Sequence, residues 1–167
     1  PFGDRVELHH APFAELPLVT KKSYLLTHPV EELCWDGSLA GCHLIGASSG
    51  FSKGGSIFWP KRPQDENAYL DSFDGFMTGC YAVDRKRTLE LVCLAFGTWI
   101  GGIQIASMDR AIAASGRFPF TVATPGLNLA EAVRIVGQFG RHFDQVLWVI
   151  NPSNIPLVKH LLEREGV

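Results

Sequence analysis

Apolar and polar positions along this chain fall into two regimes. From about residue 88 onward, short apolar runs alternate with longer stretches of helical period. Residues 89–95, 118–123 and 146–150 have the length and composition of strands, and 89–95 and 146–150 read as buried on both faces. The segment from Thr98 to about Ala114 has helix length, with Thr98 placed as its cap and Ser115-Gly116 as its stop. Asn128 is placed as the cap of the next helix, whose Ala132, Ile135, Val136 and Phe139 share one side and which Gly140 ends. Ser153 or Asn154 starts a last helix. This alternation predicts βαβ units with right-handed connections and a mainly parallel sheet in which the three runs are neighbours.

The first half is less regular. Residues 1–13 show no clear period and read as a lead-in. Thr20 is placed as the cap of a short helix over 21–27, stopped by Pro29. Residues 39–45 read as a strand, and 56–59 as a short strand ended by Pro60. Pro63 opens a helix in which Tyr69, Phe73, Phe76, Met77 and Cys80 recur at three- and four-residue spacing. There is no internal repeat. At 167 residues the chain is read as one α/β domain, a mainly parallel sheet with flanking helices.

Between the two short strands of the first half lies Gly46-Ala-Ser-Ser-Gly-Phe-Ser-Lys-Gly-Gly-Ser56. Glycines let several N–H groups turn toward one anion, serine hydroxyls add donors, and a lysine adds a point charge suited to phosphate. The loop is therefore read as a phosphate cradle formed by Ser48, Ser49, Gly50, Ser52, Lys53 and Gly54. It matches neither established glycine fingerprint, since Lys53 precedes the glycine pair instead of following it. The plainer reading stays open beside it: a surface turn capped by short hydroxyls, with Lys53 in solvent and Phe51 packed on nearby apolar groups.

Other segments extend the pattern. Ala14-Glu-Leu-Pro-Leu-Val-Thr20-Lys-Lys-Ser-Tyr-Leu25 lies upstream, and Phe96-Gly-Thr-Trp-Ile-Gly-Gly102 and Ala123-Thr-Pro-Gly-Leu-Asn128 lie downstream. In this order, over most of residues 14–165, they resemble the amino-terminal part of adenylate-forming enzymes of the phenylacetate-CoA ligase branch. That family reads leucine-proline, threonine-lysine, Ser-Ser-Gly-Thr-Thr-Gly-x-Pro, a Gly-rich helix start, and a strand ending near Pro/Gly. The resemblance implies an enzyme that uses ATP and Mg²⁺ to convert an aryl or acyl carboxylic acid to an acyl-adenylate and passes the acyl group to coenzyme A. It also implies that Trp99, Gly102, Gly126 and Asn128 belong to the substrate cleft. Read from the residues alone, Gly126 and Asn128 are a strand exit and a helix cap.

The chain departs from the family at Phe51, where the first threonine stands, at Lys53, where a glycine stands, and at Gly55, where the proline stands. The family's aromatic-Gly-x-Thr-Glu motif and later aspartate have no counterpart after Ile150. The expectation is a piece of a longer enzyme, inactive alone, whose partner is the missing carboxy-terminal portion and which holds no cofactor tightly by itself. The rival expectation is a non-catalytic α/β binding or interaction domain with a degenerate phosphate loop. A domain cut from its partner also exposes apolar surface, so self-association is expected.

Composition narrows the field. Hydrophobic residues make up 46% and charged residues 19%, as in globular proteins, and the net charge of −2 offers no basis for nucleic-acid or membrane binding. No apolar run is long enough for a membrane span, and no signal peptide is visible. Cys34, Cys42, Cys80 and Cys93 form no Cys-x-x-Cys, and read as buried or half-buried free thiols of a cytoplasmic protein. The six histidines are scattered, so no metal site is expected, and no Gly-x-Ser-x-Gly elbow is present. Asp65, Glu66, Asp71 and Asp74 read as the exposed face of a helix.

Overall fold

Strand β3 (Thr88–Cys93) is the centre of a three-stranded parallel sheet, and all six of its residues are buried. β4 (Phe120–Ala123) and β5 (Gln145–Ile150) flank it in the order β4-β3-β5. The register sets Glu90 opposite Val122 on one side and Leu147 on the other. The computed structural model describes residues 12, 14, 16, 18–34, 36–48, 50 and 55–167, apart from the side chains of Tyr69 and Asp71. The three predicted runs are therefore neighbouring parallel strands, with the first of them in the middle.

Helices cover both faces of this sheet. α3 (Leu129–Phe139) and α4 (Ile155–Glu165) pack on one, where Leu91 and Cys93 meet Ala132, Val133, Val158 and Leu161. α1 (Pro63–Tyr81) and α2 (Ile100–Ala114) cover the other, where Met77, Val83, Ile112 and Phe120 form a second cluster. Alternation along β3 decides which side chain faces which layer. Burying a leucine such as Leu91 completely is worth about 1.5–3 kcal/mol, so these two clusters supply the main stabilisation of the described core.

A separate antiparallel ribbon joins β1 (Leu44–Ala47) to β2 (Phe58–Lys61). Pro60 does not end β2 as expected; it pairs opposite Ile45 inside it. A two-stranded ribbon consists of edges, and an edge tolerates a proline whose nitrogen faces outward. The first strand also starts later than residue 39, at Leu44.

Local signals elsewhere hold with shifted limits. Thr20 closes a capping box with Ser23, but the turn it starts is a short π-helical one, Lys21–Leu25. Pro63 opens α1, and Asn128 accepts from the Glu131 N–H at the start of α3. Thr98 is not the cap of α2; Trp99 takes that place without a side-chain bond. Asn151 caps a 3-10 turn that precedes α4, with Asn154 the residue before the helix. Cys80 is exposed, not buried, and Phe76 is 46% exposed. Asp74 is not a purely solvated residue: its Oδ1 is buried and its Oδ2 lies 2.8 Å from Arg117.

Candidate functional site

The ribbon delivers the Gly/Ser loop to the rim where β3 and β4 end. The Ala47 N–H donates to the Thr98 carbonyl, and Ala47 and Trp99 form a parallel bridge. The segment that enters α2 is thereby tied to the start of the loop. The same segment reaches the third motif, because the Phe96 ring lies against Gly126, 3.1 Å from where a Cβ would be, while the Gly126 N–H donates to the Val92 carbonyl of β3. Segments that are distant in sequence thus meet beyond the carboxyl ends of parallel strands, the position where such sheets hold ligands.

Within the loop, Ser49, Ser52, Lys53 and Gly54 lie outside the described residues, as does Phe51. Ser48 closes the hairpin at the base of the loop. Its N–H donates to Ile57 O at 2.8 Å, and its Oγ accepts from Ile57 N–H at 2.9 Å. Gly50 has φ +69°, and an added Cβ would come within 2.8 Å of Ser56 Oγ. Only glycine makes this turn without strain. Such a turn is what a loop needs to fold its N–H groups back toward one point.

Sequence reasoning assigned Lys53 as the only cation of the loop, and the structure adds another. Lys21 Nζ donates to the Gly55 carbonyl, which carries an ammonium charge from the π-helical turn to the far end of the loop. The signal was present as Thr20-Lys21 in the upstream segment.

The residues proposed for the substrate cleft divide. Trp99 is 39% exposed at the rim beside Ala47. Gly102 is buried, and an added Cβ would stand 2.0 Å from the Ala95 carbonyl oxygen, so it serves close packing of α2 on the exit of β3. Asn128 is occupied as a cap, with Nδ2 donating to Glu131 at 3.1 Å. Gly126 forms the strand-exit turn against Phe96.

Two charged residues escaped the sequence reading altogether. Glu90 interrupts the run that was read as continuously apolar, and it is 1% exposed; Asp109 on α2 is fully buried beside it. Burial raises both carboxyls, Glu90 to about 9 and Asp109 to about 6. The visible signal was an acidic residue inside a six-residue buried strand. Burial also pushes the Cys93 thiol up to about 11, which makes it inert packing.

Among the described residues no group of three His, Cys, Asp or Glu is placed to hold a metal ion, and no helix is long and apolar enough to cross a membrane. All four cysteines are free. No family model matches the chain, and no curated protein matches it. The fold and rim therefore define the class only as an α/β protein with a helix-flanked parallel sheet.

Proposed function

We propose that this chain is the amino-terminal part of an ATP-dependent enzyme that forms an acyl-adenylate from an aryl or acyl carboxylic acid and transfers the acyl group to coenzyme A, similar to phenylacetate-CoA ligases. The observation that supports this reading is the tie from Ala47 to Thr98 and Trp99, with Phe96 seated on Gly126. It gathers three of the resembling segments at one rim.

ATP supplies the phosphorus that the carboxylate attacks and the pyrophosphate that leaves. The chain's own part is positioning and charge neutralisation. The Gly50 turn fits a phosphate because it folds the backbone back on Ser56 without a Cβ in the way. Lys53, with Ser49, Ser52 and Gly54, supplies charge and direction, and Lys21 adds positive charge at Gly55. Ser48 holds the hairpin, and its hydroxyl proton is its remaining donor. Trp99 and Gly126 border the space where the acid would lie. The partner is the remainder of the enzyme, and the chain by itself is expected not to turn over.

One observation favours the rival, a binding domain with a degenerate loop: the Ser48 hydroxyl is already bonded to Ile57, and Phe51 replaces a hydroxyl residue. Calorimetry with pyrophosphate separates the two. Weak binding, near millimolar or about 4 kcal/mol, is expected for the wild type. It should fall with salt and in Lys53→Ala, vanish in Gly50→Val, and strengthen in Phe51→Thr. Wild type and Lys53→Ala equally inert toward pyrophosphate would leave the loop a structural hairpin and select the rival.

A further inference from the structure

A cavity of about 340 Å³ lies between α1 and the edge strand β5, and no described residue of the Gly/Ser loop lines it. Its walls are aromatic. Phe73, Phe76 and Tyr81 come from α1, and Trp148 touches the cavity at the β5 edge while packing toward α4. The Phe76 ring lies 5.9 Å from Phe73 and meets Tyr81 edge-on at 5.5 Å. The floor includes Glu90, whose strand neighbours are the uncharged Val122 and Leu147.

This carboxyl has no conventional partner. Glu90 Oε2 and both carboxyl oxygens of Asp109 are buried and accept no hydrogen bond among the described residues. No lysine, arginine or histidine lines the cavity. Arg117 does not line the cavity and is engaged with Asp74. Burial and the neighbouring carboxyl both disfavour ionisation of Glu90, so in the empty cavity a proton stands where a counter-ion would be, and a cation seated against Glu90 takes the place of that proton. A buried charge without a counter-ion is costly, and the cavity is open to whatever would neutralise it. Aromatic faces carry negative potential and attract cations directly. The acidic floor and the aromatic walls thus select the same chemistry.

We propose that this cavity binds an organic ammonium ion, with the cationic nitrogen against Glu90 and an apolar or aromatic body against Phe73, Phe76 and Tyr81. The volume suits one aromatic ring with a short chain. Among the described residues the site shares no lining residue with the Gly/Ser loop, and it does not rest on the acyl-adenylate reading.

The test is a titration of the whole chain, followed by NMR or calorimetry at pH 7, with 2-phenylethylammonium, the neutral 2-phenylethanol and the anionic phenylacetate. The ammonium should bind saturably and at least tenfold more tightly than the alcohol, with phenylacetate weakest. Glu90→Gln should weaken the ammonium at least tenfold and leave the alcohol unchanged. Phe76→Leu, at a half-exposed position outside both core clusters, should weaken it severalfold. Circular dichroism checks that Glu90→Gln is folded. If it is not, the ammonium-to-alcohol ratio and Phe76→Leu decide. Equal binding of ammonium and alcohol would make the cavity a plain apolar pocket and overturn the proposal. So would preference for phenylacetate, ammonium binding unchanged in a folded Glu90→Gln variant, or no saturable binding of the ammonium.

Discussion

Glu90 on β3 and Asp109 on α2 bury their carboxyl groups beside each other, with no cation between them among the described residues. Both are raised, from ordinary values of 4.5 and 3.8 to about 9 and about 6. An unfolded chain therefore releases these protons at lower pH than the folded one. The folded state binds more protons between about pH 4 and 9, so stability falls as pH rises through that window. Glu90→Gln keeps the shape while removing the proton uptake that folding requires of Glu90 above its ordinary range. It should raise stability at pH 8 by about 1–3 kcal/mol, have little effect at pH 4, and flatten the pH dependence. Urea unfolding at several pH values measures this. A variant that is destabilised at pH 8 would show that the charged pair is held by something stronger than the described contacts.

Asp144 and Arg87 work in the opposite direction. The Arg87 backbone N–H donates to Asp144 at 2.9 Å, and its Nε and Nη2 donate at 3.2 and 2.7 Å. These bonds hold the Asp144 carboxyl at about 2, below its ordinary 3.8. A lowered carboxyl contributes stability above the unfolded value and loses it as pH falls through the folded one, so this contact is lost between about pH 4 and 2. Arg87→Ala should return Asp144 toward the ordinary range in an NMR titration. No movement would mean that the backbone N–H alone fixes it.

Two adjacent glycines on α2 should respond oppositely to alanine. A Cβ at Gly102 would stand 2.0 Å from the Ala95 backbone oxygen, whereas one at Gly101 meets nothing within 4 Å. Gly102→Ala should cost about 2 kcal/mol or more by pushing α2 off the exit of β3. Gly101→Ala should gain up to about 1 kcal/mol from helix propensity. Thermal melts of the two variants give the comparison, and similar melting temperatures would refute the packing assignment.

β5 is a sheet edge, and the apolar residues beside it are partly open. Trp148, Ile150, Ile155 and Leu162 line a second cavity of about 520 Å³ against α4, with Ile155 and the nearby Leu157 about half exposed. An uncovered edge and apolar face favour association. The chain is expected to self-associate at moderate concentration, and Ile155→Glu with Leu157→Lys should shift it toward monomer in sedimentation. A wild type that stays monomeric across a wide concentration range would contradict this.

The second half of the chain is the more legible from its residues. Short apolar runs of strand length can be satisfied only inside a covered sheet, and helix-length spacers between them force parallel pairing. Pro63 and Asn128 start their helices because ring geometry and a short carbonyl side chain act locally. Pro60 misled because its effect depends on whether its strand is an edge, which is a tertiary fact. Thr98 misled for a similar reason: its carbonyl is taken by Ala47, which fixes the helix start one residue later.

Period, length and backbone freedom are local properties, and they were enough to specify the α/β alternation, the three parallel strands and the Gly/Ser hairpin. What those elements bring together came from long-range packing alone. That packing tied Ala47 to Thr98, carried Lys21 to Gly55, gave Gly102 its reason, and set Glu90 beside Asp109 under an aromatic cavity. Each of these joins residues from separate elements, and their meeting depends on how helices and strands stack, which no local pattern of residues encodes.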